Sequence, residues 1–124
     1  MNGGCVKLSW NTYETHLAAT FKNLIDEKSF ADVTLVSGDQ IKLSAHKLVL
    51  SSCSPVLKQI LLDNPHPQPL LYMRGINHQD MESLLKFMYL GEVSIFQDRI
   101  DDFLEVAREL QVKGLLQDLD NESL

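Results

Sequence analysis

Apolar and polar positions alternate strictly over Val6-Lys7-Leu8-Ser9-Trp10, which predicts a half-buried strand with Val6, Leu8 and Trp10 on one face. The period then changes. Tyr13, Leu17, Ala18, Phe21, Leu24 and Ile25 recur at helical spacing, so an amphipathic helix is expected over 12–26. Asn11 precedes it and Glu14 follows, in the pattern of a capping box. Phe30 to Val36 is apolar and β-branched and ends at Ser37-Gly38-Asp39, a tight turn into a second strand over 40–43. Ala45, Leu48, Val49 and Ser52 fall on one helical face, with Ser44 as the expected cap. Ser54 caps the next helix and Pro55 sits in its first turn, where a missing N–H costs nothing.

Three prolines at 65, 67 and 69 forbid regular structure there. Leu70 to Met73 is a short buried strand. Asn77 caps a helix with Met81, Leu84, Leu85 and Met88 inward, and Gly91 ends it. Met73, Met81 and Met88 read as core filler. Val93-Ser94-Ile95 is a short strand. Asp98 caps a helix that turns Ile100, Phe103, Leu104, Ala107 and Leu110 inward, and Val112, Leu115 and Leu116 form a last turn. One domain is expected over 6–116, after a flexible lead over 1–5 and before an acidic tail over 117–124 that frays. Helices do not alternate with every strand, so the class is α+β, a small mixed sheet with a helical cluster.

Composition narrows the function. The chain has 124 residues, 44% apolar and 23% charged, which suits one globular domain. Eleven Lys and Arg against 17 Asp and Glu leave a net charge of −6. That balance disfavours direct nucleic-acid binding and binding to anionic lipid. No apolar run is long enough to span a bilayer. Cys5 and Cys53 make no disulfide framework and fit a reducing compartment. The glycines form no phosphate loop, and no GxSxG elbow is present. His16, His46, His66 and His78 lie on different elements without metal-ligand spacing. No catalytic constellation, metal site or cofactor is read, and no enzyme is expected.

Four segments in order, Phe30–Leu35, Ala45–Pro55, Leu84–Val93 and Phe103–Leu115, resemble successive parts of the BTB/POZ domain. Leu8-Ser9-Trp10-Asn11-Thr12-Tyr13 further resembles the Leu-Arg-Trp-Asn-Asn-Tyr of the Tramtrack-type subgroup, with Ser9 and Thr12 departing from it. The resemblance implies a homodimer whose N-terminal strand and first helix pack against the second subunit, with assemblies beyond the dimer and pairing with related BTB domains. It implies a nuclear transcription or chromatin regulator that recruits corepressor or chromatin proteins. It also implies a charged pocket at Asp32 and Lys47, and a groove between subunits bordered by Cys53. The alternative is a substrate adaptor for a cullin ubiquitin ligase. Such adaptors carry a further helical pair; none is read after Leu116, and the Tramtrack-like start points away from that role.

Three features keep two readings each. Val6, Leu8 and Trp10 belong to an edge strand of the domain's own sheet, or pair with another subunit. Likewise Tyr13, Leu17 and Phe21 face the chain's own core or a symmetry mate. Asp32 and Lys47 are solvated charges, with Asp32 accepting backbone amides, or they form a partly buried pair. Cys53 is read as a packed small hydrophobe rather than a reactive thiol.

Overall fold

The run Val33–Ser37 is buried at four of its five positions, with Val33, Leu35 and Val36 supplying the apolar side chains. It forms β1, the middle of a three-stranded sheet in a computed structural model that describes residues 3–115. On one side β2 (Lys42–Ala45) pairs antiparallel, with Val33 opposite Ala45 and Val36 opposite Lys42. On the other, β3 (Leu70–Met73) pairs parallel, with Thr34 opposite Leu70 and Ser37 opposite Met73. The Gln40 N–H closes the turn joining β1 to β2 on the Ser37 carbonyl at 3.0 Å, and Gly38 ties it to the segment after β3 by donating its N–H to the Ile76 carbonyl at 2.7 Å. A Cβ on Gly38 would lie 3.1 Å from the Gly75 nitrogen, a tight contact that favours glycine there.

Five helices complete the described residues: α1 (Tyr13–Asn23), α2 (Lys47–Cys53), α3 (Pro55–Asp63), α4 (His78–Leu90) and α5 (Ile100–Glu109). Short 3₁₀ turns follow α1 (Leu24–Asp26) and precede α5 (Gln97–Arg99). The core gathers Leu35, Leu50, Leu57, Met81, Leu84 and Phe103, all at most 2% exposed. Met73, Met81 and Met88 are buried in it, as their spacing predicted. The mixed sheet and helical cluster are the expected α+β class.

Several caps fall where the sequence placed them. The Ser54 hydroxyl accepts the Leu57 N–H at 3.1 Å, and Asn77 accepts the Asp80 N–H at 2.8 Å. Gly91 ends α4 at φ 83°, a conformation that needs glycine.

Other expectations are corrected. Asn11 and Glu14 form no capping box: Thr12 is the N-cap, and no side chain caps α1. Ser44 does not cap α2, because β2 runs on through Ala45 and the helix starts at Lys47. Leu48, expected inward, is 67% exposed. Asp98 lies in the 3₁₀ turn, and α5 follows Arg99 instead. Ile100 is exposed rather than inward. Val93-Ser94-Ile95 joins no ladder, although Val93 and Ile95 lean on the core. The alternation there records side-chain seating, and a strand also needs a neighbour. The acidic tail, Leu116, and Met1 and Asn2 of the lead lie outside the described residues.

Candidate self-association surface

Val6 to Trp10 forms no strand in the single chain, and neither edge of the sheet pairs with it. The reading as an edge strand of the domain's own sheet is therefore overturned. Val6 is 83% exposed, Leu8 91% and Trp10 56%. The apolar face continues onto α1, where Tyr13 is 50% and Leu17 49% exposed. No residue of α1 is buried. The helix rests mainly on α4 and the 3₁₀ turn that follows it.

Trp10 organises this end. Its Nε1 donates to the Thr12 hydroxyl at 2.9 Å, and its ring meets Tyr13 edge-on at 5.4 Å and His16 at 4.9 Å. Phe21 differs from the other expected contact residues. It is half-buried, packs against the core, and lies 6.4 Å from the Tyr89 ring. Leu17, Ala18 and Phe21 also wall an open apolar groove of about 430 Å³ against Met88, Leu90 and Gly91.

Asp32 and Lys47 meet, but not as an ion pair. The Asp32 carboxylate accepts the Lys47 backbone N–H at 2.7 Å, while the Lys47 Nζ donates to the His66 carbonyl at 2.6 Å. Asp32 thus supplies from β1's entry the cap that α2 lacks at its own N-cap, His46. Cys53 is half-buried at the end of α2, its Sγ 3.7 Å from the Met88 carbonyl. Burial pushes its thiol pKa up, which keeps it protonated and unreactive.

Three polar ties escaped sequence reasoning. Tyr89 Oη binds both the His46 N–H, at 2.9 Å, and His46 Nδ1, at 2.7 Å. Burial raises the Tyr89 pKa to about 12, so the phenol keeps its proton. Arg99 reaches Asp80 at 2.7 Å and Asp102 at 2.9 Å. Asp39 accepts from the Ser37 hydroxyl and binds His78 Nδ1, tying the β1–β2 turn to the start of α4. This Ser-Asp-His group is no nucleophile: the buried Ser37 hydroxyl donates to Asp39, not to histidine, and accepts the Ile41 N–H at 3.0 Å. Partners 39 or 43 positions apart leave no periodic trace, and only the fold brings them together.

Residues 21–123 match the family model described as BTB/POZ domain. The chain belongs to the BTB/POZ family. BTB/POZ is a protein-interaction fold, and its domains self-associate and bind other BTB domains. Its relatives are of the Tramtrack type. "Longitudinals lacking protein-like" of Drosophila melanogaster is 43% identical over 108 residues, covering 87% of this chain and 84% of that protein. "Protein tramtrack, alpha isoform" of the same organism is 43% identical over 109 residues, but this chain spans only 13% of its length. "Protein abrupt" is 42% identical over 108 residues, with 12% of its length spanned. Two solved structures share the fold. The BTB domain of zebrafish PATZ1 superposes with a TM-score of 0.76 at 18% identity, covering 94% of this chain and 96% of that one. The BTB domain of human gigaxonin gives 0.74 at 24% identity, covering 99% and 100%.

Proposed function

We propose that this BTB/POZ domain is a homodimerising and oligomerising module of a nuclear transcription or chromatin regulator. It brings linked DNA-binding modules together and gives corepressor or chromatin proteins a surface to bind. One observation carries the reading. Val6, Leu8, Trp10, Tyr13 and Leu17 are each about half exposed or more, on one continuous N-terminal stretch. Burying a large apolar side chain stabilises by about 1.5–3 kcal/mol, so a second copy that covers this stretch is strongly favoured.

The backbone argues likewise. Two segments of strand-like alternation, Val6–Trp10 and Val93–Ile95, have no partner strand among the described residues. Pairing between subunits satisfies their amides and hides the alternating side chains. A twofold axis uses the same patch on both subunits. Asp32 and Lys47 then act chiefly by holding α2 in place, and Cys53 borders the joint surface. The relatives named Tramtrack and abrupt are far longer than this chain, which suits a module attached to other parts.

The test fuses the domain to a monomeric DNA-binding module. DNA with two sites should be bound about 10²–10⁴ times more tightly than DNA with one, by effective concentration. Leu17→Asp should abolish the gain and leave single-site binding unchanged. Equal affinity for one and two sites in the unsubstituted fusion would refute the proposal.

A further inference from the structure

β3 lies at an edge of the sheet, with β1 on one side and no strand on the other among the described residues. Thr34 of β1 donates its N–H to the Pro69 carbonyl at 3.0 Å, which sets the phase of the ladder. Main-chain groups of Pro69, Leu71 and Met73 therefore face β1, and those of Leu70 and Tyr72 face outward. Among the described residues nothing receives the N–H of Leu70 or Tyr72, and nothing donates to either carbonyl. Pro69, which has no N–H, falls on the inward phase and spares the outer side. The outward amide before it, that of Gln68, is already bonded to His66 Nδ1 at 3.0 Å. Two residues, each with a donor and an acceptor, are left open.

Their side chains make this edge apolar as well. Leu70 is 56% and Tyr72 52% exposed, both on one face of the sheet, while Leu71 and Met73 turn to the core. The opposite edge differs: β2 carries Lys42, and Ile25 and Lys28 of the chain after α1 stand across a cleft from it. A lysine discourages pairing at a strand edge, and β3 carries no charge over Leu70–Met73.

The edge is complementary to itself. Two copies of β3 set antiparallel about a twofold axis at Leu71 bring Leu70 of each opposite Tyr72 of the other. Each such pair exchanges two N–H···O bonds, so all the open donors and acceptors are met. Leucine beside tyrosine is a favourable cross-strand pair, and Arg74 falls opposite Gln68, so no like charges meet. The contact is small. Two apolar side chains from each copy fall short of the ~1,000 Å² at which two free chains hold together stably. Such a contact joins dimers that already exist and does not make them.

We propose that the β3 edges of two dimers pair antiparallel, continuing the sheet from one dimer into the next and linking dimers into larger assemblies. This linkage rests on the homodimer read from the N-terminal stretch, and shares no residue with that stretch or with the α1 groove.

Sedimentation velocity, run from low micromolar to near-millimolar concentration, tests the linkage. The native chain should pass from dimers to larger species as concentration rises. Leu70→Lys and Tyr72→Glu each alter an exposed side chain and should keep the dimer and the melting temperature. Each variant alone sets like charges diagonally across the paired strands and should raise the concentration needed for larger species at least about tenfold. An equimolar mixture sets the introduced ammonium opposite the introduced carboxylate and keeps the other leucine–tyrosine pair. Larger species should return in it, although both variants remain net negative. Single chains throughout would overturn the homodimer reading and the linkage together. Dimers with nothing larger would overturn the linkage alone and leave the edge to an unrelated extended peptide. So would larger species that form equally in both variants, or a mixture that associates no better than either variant by itself.

Discussion

A carboxylate that caps a helix from another element behaves differently from one in an ion pair, and Asp32 allows the two to be told apart. Its partner is the backbone N–H of Lys47, not the ammonium. Asp32→Ala should therefore destabilise the domain by about 0.5–2 kcal/mol, the usual value of a lost cap. Asp32→Asn keeps an acceptor oxygen and should cost less. Lys47→Met keeps the amide and should shift the denaturation midpoint little. A loss with Lys47→Met as large as with Asp32→Ala would contradict the capping role. The side chains of Asp32 and Lys47 stood out in the sequence. That Asp32 accepts a backbone amide was one of the two sequence readings; which amide it is could not be read, because the donor is main chain and carries no residue signature.

The Asp39–His78 tie sets a pH dependence. Hydrogen bonds from Ser37 and then His78 hold the Asp39 pKa down at about 2, and the Asp39 carboxylate holds the His78 pKa above 6.5. The Asp39 contribution is present above 3.8 and lost as pH falls through about 2. The His78 contribution is full below 6.5 and lost as pH rises through its higher folded value. Both side chains are more than a third exposed, so solvent screens the pair and the effect is small. The melting temperature of the native chain minus that of His78→Gln should grow as pH falls from the basic side towards 6.5. A difference independent of pH would remove the tie from the account.

At the scale of elements, Ser54 joins three helices. Its hydroxyl accepts from Leu57 at the start of α3 and donates to the Leu110 carbonyl just after α5, at 2.6 Å. The same residue closes α2, its N–H bonded to the Leu50 carbonyl. Ser54→Ala leaves a buried donor and a buried acceptor unpaired and should cost about 1–3 kcal/mol, read by chemical denaturation. A change near zero would show that other groups satisfy them. The Ser54-Pro55 pair announced one of these bonds in the sequence, because capping is local. The bond to Leu110 spans 56 positions and could not be read.

The strands divide in the same way. β1 was legible because Val33, Leu35 and Val36 crowd apolar, β-branched residues into a short run that the turn signal Ser37-Gly38-Asp39 ends. Val6–Trp10 and Val93–Ile95 have strand-like alternation, yet neither finds a strand neighbour among the described residues. Alternation reports which side chains want burial, not which molecule supplies the cover. If copies pair through the N-terminal strand, Trp10→Ala should lower the mass of assemblies beyond the dimer while leaving the circular dichroism of the domain unchanged. Light scattering on the native chain and the variant compares the two, and equal masses would rule out this use of the strand.

On the scale of the whole molecule, two properties act together. A net charge of −6 spreads repulsion between copies, while the N-terminal stretch and the α1 groove supply apolar attraction. Raised salt screens the first and leaves the second, so self-association should strengthen modestly with ionic strength. Weakening in salt, followed by sedimentation, would indicate an interface held by charge. The fold class and core were readable because burial leaves a period in the sequence. The proposed association surface was readable only as a surplus of apolar residues, and the structure adds that no residue of α1 is fully buried within its own chain.

Light scattering coupled to size exclusion across a dilution series tests the self-association reading most directly. An interface that covers this stretch in the obligate class, above about 2,000 Å² in total, leaves no stable folded monomer. The reading predicts a mass of at least two chains down to low micromolar concentration, with Leu17→Asp reducing it or unfolding the domain. A folded single chain of monomeric mass throughout the series would contradict it.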